Sequence, residues 1–320
     1  MENVYIFGSQ GQDGQLLNEL LNANHIDFNL ILFTKNSVLF NNFEDVKEIK
    51  IENNYSYISL VNSLFVKFPP KIIFYFAAVH FSATEFKNQI SDNDLNNMSF
   101  VNYFLPLHIF NYCNINEIAA KILFTSSALI FSNSEESPQS ENTKRKPTCI
   151  YGNQKVLIEE YLMMINQKFN CDTYTAILYN HESFYRKEKF FTKKLISFCS
   201  NYRFNTSKSK LQLFNRNLSI DMGYAPEYVN AMYKLITNGK PGSYIFSTQK
   251  LIKIEEFVRG VLEFYKLDED IIKFNDLEPR NSTQLLGLNK KLFDEIGWVP
   301  NFTGKKLIMQ LCEDFEKHKY

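Results

Sequence analysis

The stretch VYIFGSQGQDGQLLNELLNA, Val4 to Ala23, passes from an apolar run through a glycine-rich turn into a helix-like pattern. Val4 to Gly8 reads as a buried strand and Gln15 to Ala23 as an amphipathic helix. Between them Gly8, Gly11 and Gly14 stand three residues apart, with Gln12 and Asp13 inside the same loop. In a strand–turn–helix setting such glycines permit a tight turn and let backbone N–H groups and the helix N-terminus approach a pyrophosphate. A purely structural turn could use the same residues. Three of the chain's 11 glycines nevertheless sit at the one place a dinucleotide needs them, which favours a cofactor loop. The second strand, Leu30 to Thr34, ends in FTKNS. An NAD-selective loop usually offers a carboxylate to the ribose there, and this one offers Lys35, so the lean is toward NADP, with NAD possible.

Working outward, apolar runs at residues 47–51, 71–78, 119–127 and 174–179 alternate with helix-like segments at 59–68, 100–113 and 154–167. That alternation predicts a parallel sheet covered on both faces, a doubly wound α/β domain of the Rossmann type over residues 1–178. Residues 179–320 turn irregular, basic and aromatic to about Gln212 and then mixed. They read as a smaller α/β subdomain facing the substrate, with some segments returning to the main core. The 320 residues carry 35 basic and 35 acidic side chains, so no global field draws polyanions and nucleic acid is not an expected partner. Five cysteines without paired spacing argue against a zinc site or a disulfide framework, and no metal ligand set stands out. The apolar runs stop short of the roughly 18 residues of a membrane span. With no basic leader ahead of Glu2, a cytoplasmic protein is expected.

Tyr151 and Lys155 lie four apart in YGNQK and so share one face of a helix. There an ammonium can lower the phenol's pKa and hold a nicotinamide ribose, and the tyrosine can exchange a proton with a sugar hydroxyl while hydride moves. The spacing alone is common. Joined to the glycine loop and to Ser126 at a strand end in LFTSSALIF, Leu123 to Phe131, it becomes a catalytic set, with Ser126 binding the same substrate oxygen.

This set resembles the extended short-chain dehydrogenase/reductase family, and the run Phe76 to Ser82 with Ala77 and Ala78, together with Asn102, fits that family's pattern beside the cofactor. Further stretches are similar to its GDP-mannose 4,6-dehydratase branch: Pro138 to Thr143, Leu178 to Lys194, Gly223 to Tyr233 and Arg280 to Pro300. The tetrad Asn180, His181, Glu182, Ser183 is among the branch's most specific signatures. The resemblance implies a nucleotide-diphosphate sugar, GDP-linked, bound by Asn180, Glu182, Ser183, Arg186, Lys193, Lys194 and Arg280. It also implies a homodimer, with a tetramer as the other familiar assembly, built on the apolar faces of Tyr103 to Cys113 and Val156 to Met164.

The chain departs from the branch at three places. With Ser126 set on the branch's strand-end threonine, Ala128 takes the place of the glutamate that serves elimination of water across C5 and C6. Loss of such a group typically costs a hundred- to ten-thousand-fold in rate. Leu129, Ile130 and Phe131 replace the usual Leu-Tyr-Gly, and Ile220 stands where an arginine usually meets the diphosphate. The expectation is therefore hydride transfer at a ring carbon, C4, as reductase or epimerase. The alternatives are a 4,6-dehydratase recruiting Glu135 or Glu136, or a non-catalytic binding subunit.

Overall fold

A computed structural model describes residues 2–24, 28–42, 47–80, 90–169, 171–202, 209–275 and 284–318. The apolar run at the start forms β1 (Glu2–Phe7), and its last four residues are buried, as expected of a strand with helices on both sides. It is followed by α1 (Gln12–Ala23), β2 (Phe28–Phe33), β3 (Ser37–Asn41), β4 (Glu48–Lys50), α2 (Asn54–Lys67) and β5 (Ile72–Tyr75). Then come α3 (Asp92–Ser99), α4 (Leu105–Ile115), β6 (Lys121–Ser127), α5 (Ile150–Phe169) and β7 (Thr173–Leu178). The second part holds β8 (Asn180–Glu182), α6 (Phe191–Asn201), β9 (Leu211–Phe214), β10 (Ser219–Tyr224), α7 (Ala225–Asn238) and β11 (Gly242–Phe246). It ends with β12 (Leu251–Lys253), α8 (Ile254–Tyr265), β13 (Ile272–Asn275), α9 (Lys290–Ile296) and α10 (Gly304–His318).

The main sheet has eight strands in the order β11-β7-β6-β5-β1-β2-β3-β4, parallel from β11 through β2. One core layer packs α1 and α7 against it, through Leu17, Leu21, Val229 and Met232; the other packs α2, α4 and α5, through Val61, Phe110, Ile158 and Leu162. This is the doubly wound arrangement expected from the alternation. A third core joins α6, α8 and α10 to two small sheets, β12-β10-β8 and β13-β9. The chain returns between them: α7 and β11 belong to the large sheet although they follow β8 in sequence.

Two local features differ from the periodicity. The segment after β2 doubles back as β3, antiparallel to it, because Thr34 closes a turn onto Ser37 with backbone and side-chain bonds. The helix expected over 100–113 is preceded by α3 and joined to α4 through a π-helical turn, Phe100–Phe104, in which the Leu105 N–H bonds to the Phe100 carbonyl. Pro106 follows with no N–H to offer Asn102, and so the α-helical ladder cannot run through unbroken.

The strand order reverses between β1 and β5, with β2 on one side and β6 on the other. That is the point where an open α/β sheet leaves a crevice at its carboxyl ends.

Candidate functional site

Gly8 sits in the left-handed region at φ 85°, and a Cβ there would lie 2.6 Å from the Ala77 nitrogen. The loops after β1 and β5 therefore touch at the crevice. A Cβ on Gly14 would fall 2.5 Å from the Gly8 carbonyl oxygen, so only glycine lets α1 start this close to the turn. Gly11 caps α1 without a side-chain bond, which leaves first-turn N–H groups for a ligand. A cradle that any side chain would fill, at the positive end of a helix dipole, fits a dinucleotide pyrophosphate. Asn102 is fully buried and clamps the loop after β5: it accepts from the Val79 N–H and donates to the Val79 carbonyl, both at 2.9 Å, and it also bonds Gln154. It positions the Ala77–His80 backbone and points no polar atom at the groove. Lys35 is exposed in the turn after β2. Gln12 and Asp13 do not face the diphosphate groove; their side chains reach His181 and Ser183.

Tyr151 opens α5, with its ring edge-on to His80 at 4.8 Å. One turn on, Lys155 is buried; its ammonium lies 2.7 Å from the Thr125 carbonyl and 5.5 Å from the Tyr151 ring. The shared face expected of this pair is present. Gly152 lets the helix start close to the strand end, since a Cβ would meet the Leu129 carbonyl oxygen at 3.0 Å. Burial drives the Tyr151 phenol above its ordinary pKa, with Arg186 and a hydrogen bond from Ser127 acting against it and Cys149 and Asp13 adding to the rise. Burial also pushes Lys155 down to about 7, with Glu159 opposing.

Ser126 is not part of this cluster. Side chains alternate across a strand, and Ser126 falls on the α5 face of β6, where it is 3% exposed and donates to Glu159. Glu159 also holds Arg145 at 3.2 Å, and burial raises its pKa. The hydroxyl beside Tyr151 belongs to the next residue, Ser127, which caps the short turn Ala128–Phe131. Ala128 faces inward into a cluster with Ile130, Phe131, Ile177 and Ile245. The correction follows from parity: an alternating pattern assigns faces only once the strand's end is known, and one residue of slip exchanges them. The Lys155–Glu159 pair was within reach of sequence reasoning as an i,i+4 pair on the predicted helix.

On the substrate side, Asn180 is exposed on β8, and Glu182 is buried, accepting from Thr192 and pairing with Arg186 at 3.4 Å. The Arg186 guanidinium also lies 3.8 Å from the Phe190 ring centroid. Ser183 donates to Gln12. Lys193 does not stand free toward a phosphate: it donates to the Phe184 carbonyl, sits 3.6 Å over that ring, and loses basicity through burial. Lys194 is exposed on α6. Ile220 packs against the third core. Arg280, Phe81 and Ser82 lie outside the described residues. Glu135 pairs with Lys146 at the surface and Glu136 accepts from Thr143, so both are engaged within their own loop. Of the two apolar helix faces, Ile109, Phe110, Ile158 and Leu162 enter the core, whereas Phe104, Leu157 and Met163 are about half exposed. Among the described residues no helix is long and apolar enough to cross a membrane.

The glycine cradle, the Tyr–Lys pair and the tetrad on β8 all lie within residues 5–311, the span matched by the family model for GDP-mannose 4,6 dehydratase. The chain belongs to the GDP-mannose 4,6-dehydratase family. GDP-mannose 4,6 dehydratase 2 of Arabidopsis thaliana is 30% identical over 186 residues, 57% of this chain and 50% of that one. The chain thus spans about half the length of that curated relative. GDP-mannose 4,6-dehydratase of Yersinia enterocolitica is 24% identical across 97% of this chain and 93% of its own. Among solved structures, a dTDP-glucose 4,6-dehydratase from Bacillus anthracis in complex with NAD superposes with a TM-score of 0.80 at 12% identity, covering 100% of this chain and 98% of that one. The expected membership of the dehydratase family, and of the wider nucleotide-sugar epimerase/dehydratase superfamily, is borne out.

Proposed function

We propose that this protein transfers hydride at C4 of a GDP-linked hexose, using NADP, with Tyr151 as acid/base, Lys155 as its electrostatic partner and Ser127 as the orienting hydroxyl. A dinucleotide held at the Gly8, Gly11 and Gly14 cradle would supply the hydride acceptor and donor. Tyr151 would take up the proton of the C4 hydroxyl in oxidation and return it in reduction. Lys155, 5.5 Å from the Tyr151 ring, would hold the ribose, and the backbone clamped by Asn102 fixes the wall beside it. Asn180, Arg186 and Lys194 are the remaining described candidates for the nucleotide and sugar; Lys193, bound to Phe184, serves the subdomain core. The observation that carries the reading is the strand end. Counted from Ser127, the position two residues on, where the branch has its glutamate, is Leu129. With either serine as origin, then, no carboxylate occupies that place.

The comparisons favour a second reading more than this one: the family model and the relatives above carry the name of 4,6-dehydratases. Elimination would share the C4 oxidation and then need another proton acceptor at C5. Incubating the protein with NADP or NAD and a panel of GDP-, CDP-, UDP- and dTDP-sugars, followed by mass spectrometry, separates the cases. Loss of one water by the wild type would establish elimination and overturn the hydride-only reading. A gain or loss of two hydrogens supports a redox step, and a change of mobility at constant mass an epimerase. A cytoplasmic location and a dimer pairing the exposed Phe104, Leu157 and Met163 complete the proposal.

A further inference from the structure

The two side chains between the loop glycines join parts of the molecule that are far apart in sequence. Gln12 donates to the His181 carbonyl at 3.0 Å and accepts from Ser183 at 2.9 Å. Asp13 meets His181 Nε2 with both carboxylate oxygens, at 3.1 and 3.3 Å. The other ring nitrogen, Nδ1, lies 2.8 Å from the Tyr179 carbonyl. Both nitrogens therefore face groups that only accept, and an imidazolium with two N–H donors satisfies the site where a neutral ring cannot. The ring lies flat on Tyr228, 5.1 Å between centroids and 10° between planes. Gly223 makes room for Tyr228, since a Cβ there would come within 2.4 Å of its ring. The carboxylate and imidazole are 15% and 12% exposed.

The charged and titratable groups around the pair are Arg186, which follows β8, Tyr228 on α7 and Tyr151 at the start of α5. Arg186 opposes protonation of His181, while Asp13 and the Tyr179 carbonyl favour it strongly enough to raise its pKa despite burial. Asp13 is correspondingly held below the usual carboxylate range.

We infer that Asp13 and His181, with the Gln12–Ser183 bond beside them, form a latch that couples the dinucleotide loop to the nucleotide-sugar subdomain, so that filling one site tightens the other. The mechanism is short. A diphosphate bound by the Gly11–Gly14 backbone fixes that backbone, the Gln12 and Asp13 side chains fix β8 and the Ser183 that follows it, and β8 carries the exposed Asn180. Coupling of this kind is reciprocal and typically amounts to 5- to 150-fold in affinity. It rests on the proposed sites for dinucleotide and nucleotide sugar, and His181 serves in it as a positioning residue.

Calorimetric titration of GDP-mannose with and without saturating NADP tests it. In the wild type GDP-mannose should bind about five-fold tighter or better when NADP is present. Asp13→Asn and His181→Gln should abolish that ratio, and Ser183→Ala, the milder change, should reduce it. Raising the pH through the elevated His181 pKa should erase the ratio in the wild type without any substitution, a readout independent of whether a variant folds. Equal affinity with and without NADP in a wild type that binds both ligands would overturn the latch alone. Coupling that persists undiminished in Asp13→Asn would also overturn it. A wild type that binds neither ligand would sink the functional reading, and the latch with it.

Discussion

Replacing Lys155 by methionine should abolish hydride transfer and, at neutral pH, make the protein more stable. The ammonium is 1% exposed, and burial drives its pKa from the ordinary 10.5 to about 7. A depressed lysine pKa means that between those two values the unfolded chain holds a proton the folded one has released, so stability rises with pH across that window. At about 1.4 kcal/mol per pH unit the full span amounts to roughly 5 kcal/mol, charged against the wild type at and below pH 7. Lost contacts with the Thr125 carbonyl and with Glu159 offset part of it, so a net gain of about 2 kcal/mol at pH 6.5 is expected from Lys155→Met. Urea denaturation of both proteins at a series of pH values from about 6 to 9.5 measures the difference directly. The variant's advantage should be greatest below pH 7 and fall by about 3 kcal/mol by pH 9.5, where the wild type becomes the more stable by about 1 kcal/mol. A variant that is less stable at every pH, with a difference that does not change along the series, would refute the assignment of Lys155 as a buried ammonium of lowered basicity.

Glu159→Gln leaves Arg145 and Lys155 without their shared carboxylate; it should cost about 3 kcal/mol of stability and move the alkaline limb of the activity profile to lower pH, because Lys155 loses an anion that raises its pKa. Ser127→Ala should lower kcat by about a hundredfold or more, whereas Ser126→Ala should keep kcat within a few-fold; the reverse order would restore Ser126 to the catalytic set. Leu129→Glu should introduce a product lighter by one water, detected by mass, if the missing carboxylate is what confines the wild type to hydride chemistry. Leu157→Glu, on a half-exposed apolar face, should shift sedimentation toward the monomer.

The parts of the molecule that rest on short-range rules were legible in the chain itself. The first strand, the glycine loop and α1 announce themselves by apolar runs and by a residue only glycine can replace; so do β5, β6, β7 and the Tyr151–Lys155 helix face. What escaped depends on longer reach. Whether Ser126 or Ser127 faces the site turns on the last residue of β6, and propensity does not set strand ends to one residue. That Lys193 caps an aromatic pair instead of meeting a phosphate follows from Phe315, more than a hundred positions away. Gln12 and Asp13 looked like cofactor residues because they lie in the loop; their partners come from β8, which sequence proximity could not supply. The β3 hairpin was hidden by a polar turn, Thr34–Ser37, that reads as an ordinary strand end.

The late return of β11 to the large sheet bears on how this chain is made. Until Gly242 to Phe246 leave the ribosome, β7 presents an unpaired parallel edge along Tyr174 to Leu178, all apolar or threonine. Through that interval the nascent protein offers other chains a template for strand addition. The strands β8, β9 and β10, which separate β7 from its partner in sequence, are thus also a delay.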